Sequence, residues 1–234
     1  MDNEIEECAW DSDFFGYKVG KAFLWKNSSL PALLQSASAA AYRLVYLYTT
    51  PQTQLQSPPP VTSLVRVARQ IQYVYALQAL ADTPSSHPSI QLYTAKEANQ
   101  ALIALSLSSG MYSRFKKDTN FPEGTFERLY THWIEQAVRT QTVFVYKQEE
   151  AIKGLLTLKL TRDKAIIDLL AVHQTARNQG VATQLILKAF QETYRQGYAQ
   201  IHVTTQAANV AACRLYEKVG FRVAKETAIY HLWL

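Results

Sequence analysis

Two short runs hold the residue types and spacings that could do chemistry. The first is His173-Gln174-Thr175-Ala176-Arg177-Asn178-Gln179-Gly180-Val181-Ala182, directly after the apolar run Ile166-Ile167-Asp168-Leu169-Leu170-Ala171-Val172. It reads as a buried strand that turns into an amphipathic helix. Backbone N–H groups at such a helix start lack partners, and the dipole there is positive. Gly180 removes a side chain where a ligand could approach, small Ala182 keeps the helix mouth open, and Arg177 adds a charge. This arrangement suits a pyrophosphate. The alternative is an ordinary strand–loop–helix whose glycine only permits a turn.

The second run follows the strand Ile201-His202-Val203-Thr204 and reads Asn209-Val210-Ala211-Ala212-Cys213-Arg214-Leu215-Tyr216-Glu217-Lys218-Val219-Gly220-Phe221. Asn209 is placed to cap a helix that Gly220 ends. Asn209, Ala212 and Tyr216 fall on one helical face, with the asparagine and the tyrosine ~10 Å apart along it. Taken alone, Tyr216 reads equally as a core aromatic with a satisfied hydroxyl.

The elements that must position these groups come from a chain of 234 residues, 48% hydrophobic and 18% charged. That is enough apolar chain to bury a core without staples, and it excludes disorder, collagen, a coiled coil and a disulfide knot. Cys8 and Cys213 make neither a disulfide framework nor a metal cluster. No metal is therefore expected. The acidic start Met1-Asp2-Asn3-Glu4 is unlike a signal peptide, and no apolar run approaches the ~20 residues of a membrane span. These features give the expectation of a cytoplasmic protein with no membrane partner. The net charge of +5 is scattered along the chain, which speaks against nucleic acid and leaves room for a small phosphorylated ligand.

Punctuation divides the chain into a small α/β unit over 1–80, a linker over 81–89 and a larger unit over 90–234. In the first, strands are expected at Tyr17–Trp25, Arg43–Tyr48 and Val65–Ala76, with a helix at Leu30–Ala41. The stretch 49–60 is polar and Pro-rich, so an exposed loop is expected there. In the second, a strand at Ile90–Thr94 precedes a helix at Ala95–Ser108 and another beginning near Pro122. Strands at Thr142–Lys147, Ile152–Leu160 and Ala165–Val172 come next. Helix Val181–Tyr194, strand Gln200–Thr204, helix Val210–Val219 and a final pair of strands complete the pattern. The fold class is α/β (α+β), a mixed sheet covered on both faces.

Together, R-x-x-G-x-A after a strand and N-x-x-A-x-x-L-Y-x-x-x-G-F further on resemble the GCN5-related N-acetyltransferase (GNAT) superfamily over about 90–234. Ala182 departs from that family's usual last glycine. A narrower likeness rests on Trp10-Asp11-Ser12-Asp13-Phe14-Phe15-Gly16, Tyr112-Ser113-Arg114-Phe115 and Tyr130-Thr131-His132-Trp133-Ile134-Glu135-Gln136-Ala137-Val138. Thr205-Gln206 and the tail Thr227-Ala228-Ile229-Tyr230 add to it. These segments are similar to the dTDP-fucosamine acetyltransferases, which acetylate the amine of a TDP-linked 4-amino-4,6-dideoxygalactose and also carry a small N-terminal unit.

The resemblance implies a mostly antiparallel mixed sheet whose central strands, here 165–172 and 200–204, splay apart. It implies acetyl-CoA as cosubstrate, its pantetheine arm pairing with the backbone at Leu170, Ala171 and Val172. The pyrophosphate would rest on the N–H groups of Gln179, Gly180, Val181, Ala182 and Thr183, with Arg177 beside it. Val172 N–H would steady the oxyanion, Asn209 would bond the pantetheine, and Tyr216 would be the general acid for the leaving thiolate. The acceptor is expected to be a nucleotide-linked amino sugar used for surface polysaccharide, under the segment 109–121 and the N-terminal unit. Tyr112, Arg114, Phe115 and Lys116 combine aromatic and cationic groups suited to its diphosphate; a solvated loop is the other reading. Asp168 and His173 are candidate bases, as is a water chain. Tyr230, Trp233 and Leu234 are expected to complete the sheet, and a homodimer seam there is a further expectation. The competing readings are another small amine, a protein N-terminus, or an acyl-CoA-binding module without catalysis.

Overall fold

The computed structural model describes residues 4–24, 29–56, 63–77 and 88–234. Among these are seven α-helices and ten strands, arranged in two compact units. One unit comprises residues 1–71 and 225–234, and the other 72–224.

In the first unit the strand order is β1-β2-β3-β10-β4. The strands are β1 (Glu6–Glu7), β2 (Val19–Phe23), β3 (Leu44–Thr49), β4 (Ser63–Ala76) and β10 (Arg222–Trp233). Helices α1 (Ala9–Phe15) and α2 (Leu30–Ala39) accompany them. Strands β2 and β3 are parallel, joined through α2, as a parallel pair requires a long crossover. Leu33 and Ala37 of α2 bury against Ala22, Val45, Leu47 and Leu232. Ser29 caps this helix by accepting from the N–H of Ala32.

Two expectations change here. The C-terminal segment is one long strand, not a pair, because β10 pairs with β3 without interruption from Ala228–Thr49 to Trp233–Leu44. The chain also divides at Gln72, inside β4, and residues 225–234 group with the first unit. Most of the expected linker, 81–87, lies outside the described residues, as do positions 57–60 of the Pro-rich stretch. Strand β10 lies between β3 and β4, so the tail completes a sheet.

In the second unit the order is β4-β9-β8-β7-β6-β5. Its strands are β5 (Ile90–Leu92), β6 (Thr142–Gln148), β7 (Ala151–Leu160), β8 (Ala165–Val172) and β9 (Gln200–Gln206). Strands β5 to β8 meander antiparallel, whereas β8 and β9 are parallel. Helices α3 (Gln100–Ser109) and α5 (Thr125–Thr140) cover one face of the sheet. Leu102, Leu105, Phe126, Tyr130, Ile134 and Ala137 bury there on Val143, Val145, Leu155, Leu169 and Ala171. The three- and four-residue spacing of these apolar positions is what makes α5 amphipathic. Helix α3 starts at Gln100, not Ala95, since Asn99 caps it through the N–H of Leu102. Helix α6 (Val181–Arg195) covers the opposite face, where Val181 and Leu185 pack over Gly154. Among the described residues no helix is long and apolar enough to cross a membrane.

Candidate active site

Strands β8 and β9 pair at only three positions, Ala165–Ile201, Ile166–His202 and Ile167–Val203. Both continue beyond, to Val172 and Gln206, without pairing, and the gap is the mouth of a cleft of about 370 Å³. Asp168 to Val172 form one lip and Thr204 to Gln206 the other.

The opening starts at a β-bulge. On the far side of β8, Thr157 pairs with Leu169 but Leu158 pairs with Ile167, so Asp168 is the extra residue. A bulge breaks the ladder locally and re-aims a side chain. The buried Thr157 hydroxyl accepts from Leu169 N–H at 3.0 Å, and His173 N–H donates to Lys153 carbonyl at 2.8 Å. Residues 169 and 173 thus face β7. By strand alternation the N–H groups of Leu170 and Val172 face the opening. The Val172 carbonyl is already engaged, because Arg177 Nε donates to it at 3.0 Å.

Past Val172 a short 3₁₀ turn (Gln174–Ala176) leads to α6. Gly180 is the helix N-cap with φ +77°, a conformation that favours glycine, and a Cβ there would meet no protein atom within 4 Å. No side chain caps the helix, so the first-turn N–H groups of Val181, Ala182 and Thr183 are open to an anion. Arg177 and Ala182 line the cleft beside them. The Gln179 side chain is turned to its own loop, donating to the Thr175 carbonyl at 3.1 Å.

Helix α7 (Val210–Val219) forms the second wall. Asn209 caps it, its Oδ1 accepting from Ala212 N–H at 3.2 Å, which leaves the Nδ2 donors available. Tyr216 also lines the cleft, although it is only 4% exposed. Its ring lies 5.7 Å from that of Tyr73 and 5.5 Å from that of Phe221. Burial holds its phenol well above the ordinary tyrosine value, so the proton stays on at neutral pH. Behind it, Tyr73 hydroxyl donates to Glu217 at 2.8 Å. Tyr216 thus packs among core aromatics and also borders the cleft.

The floor brings Asp168 together with Tyr112, Ser109 and Tyr130. Gln141 Nε2 donates to Asp168 Oδ2 at 2.9 Å. Solvent reaches Asp168 through the cleft, but the protein packed around it removes water, which raises its carboxyl above the usual range. Gln141 and Lys159 oppose that rise. Gly110 is required by close approach, since a Cβ would collide with the Tyr130 ring.

Arg114 and Phe115 do not line the cleft. Ser113 caps the short helix α4 (Arg114–Lys117) and rolls Phe115 inward, where it is buried beside Phe121 and Trp133. The Arg114 guanidinium lies 4.7 Å from the Phe115 ring centre, and Lys116 pairs with Glu127 at 3.1 Å. Of the four residues expected to meet a ligand there, Tyr112, Arg114, Phe115 and Lys116, Tyr112 alone reaches the cleft. His173 bonds Thr175 through Nδ1 at 2.8 Å and borders a different groove.

Two cleft residues, Gln206 and Tyr130, and Gln141 behind Asp168 were given no site role from the sequence. Gln206 borders the cleft with a buried Oε1 that no donor of the described residues reaches, an acceptor suited to a ligand N–H. Tyr130 borders the cleft from α5; it stood in the segment 130–138 that carries the narrower likeness, but no role was assigned to it there, and Gln141, at the end of α5, touches the site only through its bond to Asp168. An arm with amide N–H and C=O groups, ending in a pyrophosphate, fits these donors and acceptors. Among the described residues no group of His, Cys, Asp or Glu could hold a metal ion.

Residues 109–221 match the acetyltransferase (GNAT) family. The chain is 26% identical over 235 residues to a dTDP-fucosamine acetyltransferase of Escherichia coli, covering 98% of this chain and 97% of that protein. It is also 26% identical over 238 residues to the spore coat polysaccharide biosynthesis protein SpsD of Bacillus subtilis, covering 97% and 82%. Among solved structures, a GCN5-related N-acetyltransferase from Sphaerobacter thermophilus superposes with a TM-score of 0.52 at 17% identity, covering 86% of this chain and 64% of that one. With the splayed strands, the open helix start and the family match on the same residues, the chain carries a GNAT-family acetyltransferase domain and is an acetyltransferase.

Proposed function

We propose that the protein transfers an acetyl group from acetyl-CoA to the amine of a nucleotide-linked 4-amino-4,6-dideoxy sugar, by direct attack, for surface polysaccharide synthesis. The observation that carries the chemistry is the gap between β8 and β9 with Tyr216 on its wall. The names of the two full-length relatives support the acceptor class.

In this reading the pantetheine arm lies along β8 and accepts from or donates to the groups at Leu170 and Val172 that face the gap. Arg177 already holds the Val172 carbonyl, so that residue offers only its N–H. The pyrophosphate sits on the first turn of α6, and Asn209 Nδ2 and Gln206 Oε1 hold the arm from the other lip. Placing amine and thioester side by side is the largest contribution. Attack of the neutral amine on the thioester carbonyl gives an oxyanion, stabilised by a backbone N–H of β8. On collapse the C–S bond breaks and Tyr216 donates its proton to the departing sulfur. Asp168 is the carboxylate placed to receive the proton the amine sheds, and its raised affinity for a proton suits that task. Bound water can carry the proton across any remaining distance.

The test is to follow free thiol while offering acetyl-CoA and a panel of amines. Release with TDP-linked 4-amino-4,6-dideoxy sugars supports the proposal. Release only with polyamines, peptides or antibiotics would sink the acceptor assignment, and acetyl-CoA binding without any turnover would sink the catalytic one.

A further inference from the structure

A second, larger space of about 890 Å³ lies on the α3 side of the same unit. It takes its lining from β5, α3, β6, β7 and the turn after β8, whereas the cleft takes one wall from β9 and α7. Only Ser108 and Arg177 border both spaces, so the two meet beside the end of α3 and the phosphate loop.

Its chemistry is divided. One wall is the face of α3 that carries Ala101, Ala104 and Ser108, spaced so that small side chains leave a smooth channel. Tyr93 adds an aromatic ring, fixed by its hydroxyl bond to the Glu97 carbonyl at 2.7 Å. The rim is cationic. Lys147, Lys153 and Arg177 all border the groove, against the single acid Glu150, which pairs with Lys147 at 3.6 Å and is itself 95% exposed. The bond from His173 N–H to the Lys153 carbonyl holds the lysine's strand against the phosphate loop. Arg177 spends its Nε on Val172, which fixes its remaining nitrogens at the junction.

We propose that this groove is the subsite for the nucleoside diphosphate of the acceptor, the base against Tyr93 and α3 and the diphosphate on Lys153 and Lys147, with Arg177 at the junction between the two ligands. The volume falls within the ~300–1,000 Å³ of small-ligand sites, and paired phosphates match the excess of positive charge. The sugar would then pass Ser108 into the cleft, toward Asp168 and Tyr112. The inference rests on the acceptor class proposed above, yet binding tests it without turnover.

The experiment is titration calorimetry of the full chain with thymidine diphosphate, with and without saturating CoA, for the parent, Lys153→Glu and Ala104→Trp. The first variant reverses a charge on the rim and the second fills the channel. Expected is binding that CoA does not displace and that each variant weakens about tenfold or more, with CoA affinity unchanged. Absence of binding, displacement by CoA, or parent-like affinity in both variants overturns the proposal. If both variants also acetylate TDP-linked amino sugars with the parent's KM, the groove assignment falls while the function stands. If thymidine diphosphate binds as expected but no nucleotide-linked amine is acetylated, the function falls and the groove stands.

Discussion

Gln141, the residue that ends α5, donates its side-chain N–H to the carboxylate of Asp168, the extra residue in the bulge of β8. The bond joins a helix end to the point where the sheet opens, and it holds in the cleft the one carboxylate whose proton affinity the protein raises there. Removal of water favours the protonated acid, while the Gln141 donor favours the ionised one.

That balance fixes a pH dependence. A base must be ionised, so kcat/KM should fall toward acid with a limb above the ordinary carboxylate value of 3.8. Replacing Gln141 by Met removes the donor and should move the limb to higher pH, whereas Asp168→Asn should abolish it and lower the rate by roughly 10²-fold or more. Rate profiles from pH 4 to 9 with a saturating donor check both; an unmoved limb in Gln141→Met would separate the limb from Asp168.

Stability should show the same group with the opposite outcome for the variant. Because the folded-state pKa of Asp168 is raised, its contribution is most favourable below 3.8 and is lost as pH rises through the folded value. Asp168→Asn should therefore melt higher than the parent at neutral pH and lose that advantage in acid. Melting curves across pH decide it.

Tyr216→Phe keeps the ring against Tyr73 and Phe221 and deletes only the hydroxyl. The expected result is a kcat lower by roughly 10²-fold with the acetyl-CoA affinity retained. Since burial holds the phenol above its ordinary value, the parent should show no alkaline limb near pH 10. Unchanged turnover in the variant removes Tyr216 from the chemistry.

Gly180→Ala probes the phosphate loop. The added Cβ meets no protein atom within 4 Å, so the cost lies in the φ of +77° alone, about 1–2 kcal/mol. The same Cβ stands in the open space before the first turn of α6, so acetyl-CoA should bind more weakly than the lost stability explains. Binding calorimetry beside denaturant unfolding separates the two effects.

Thr157→Val should reveal what keeps the bulge in shape. It leaves the Leu169 N–H without its buried acceptor, at a cost of about 1–3 kcal/mol in unfolding free energy. A larger loss in kcat than in Tm-matched core variants would tie bulge geometry to the reaction.

Much of this was legible in the amino-acid order because it is local. The glycine at a helix start, the Asn209 cap and the seven-residue step to Tyr216 are short-range patterns, set by backbone sterics and helical period, and the structure has them where the spacing put them. Other features depend on residues far apart in the chain. Phe115 looks like a ligand residue in its aromatic and cationic run, but one serine cap turns it into the core. Gln141 finds Asp168 across 27 positions, and β10 finds β3 across about 180, as Ala228 pairs with Thr49 and Trp233 with Leu44. Periodicity reports which face of an element is buried; it carries no register between elements. Motifs that act within a turn or two carried the family resemblance, and the reaction class came with that resemblance. Only tertiary packing decided where the strands part, which carboxylate stands in the gap and which groove feeds it, because those follow from pairings that chain proximity does not encode.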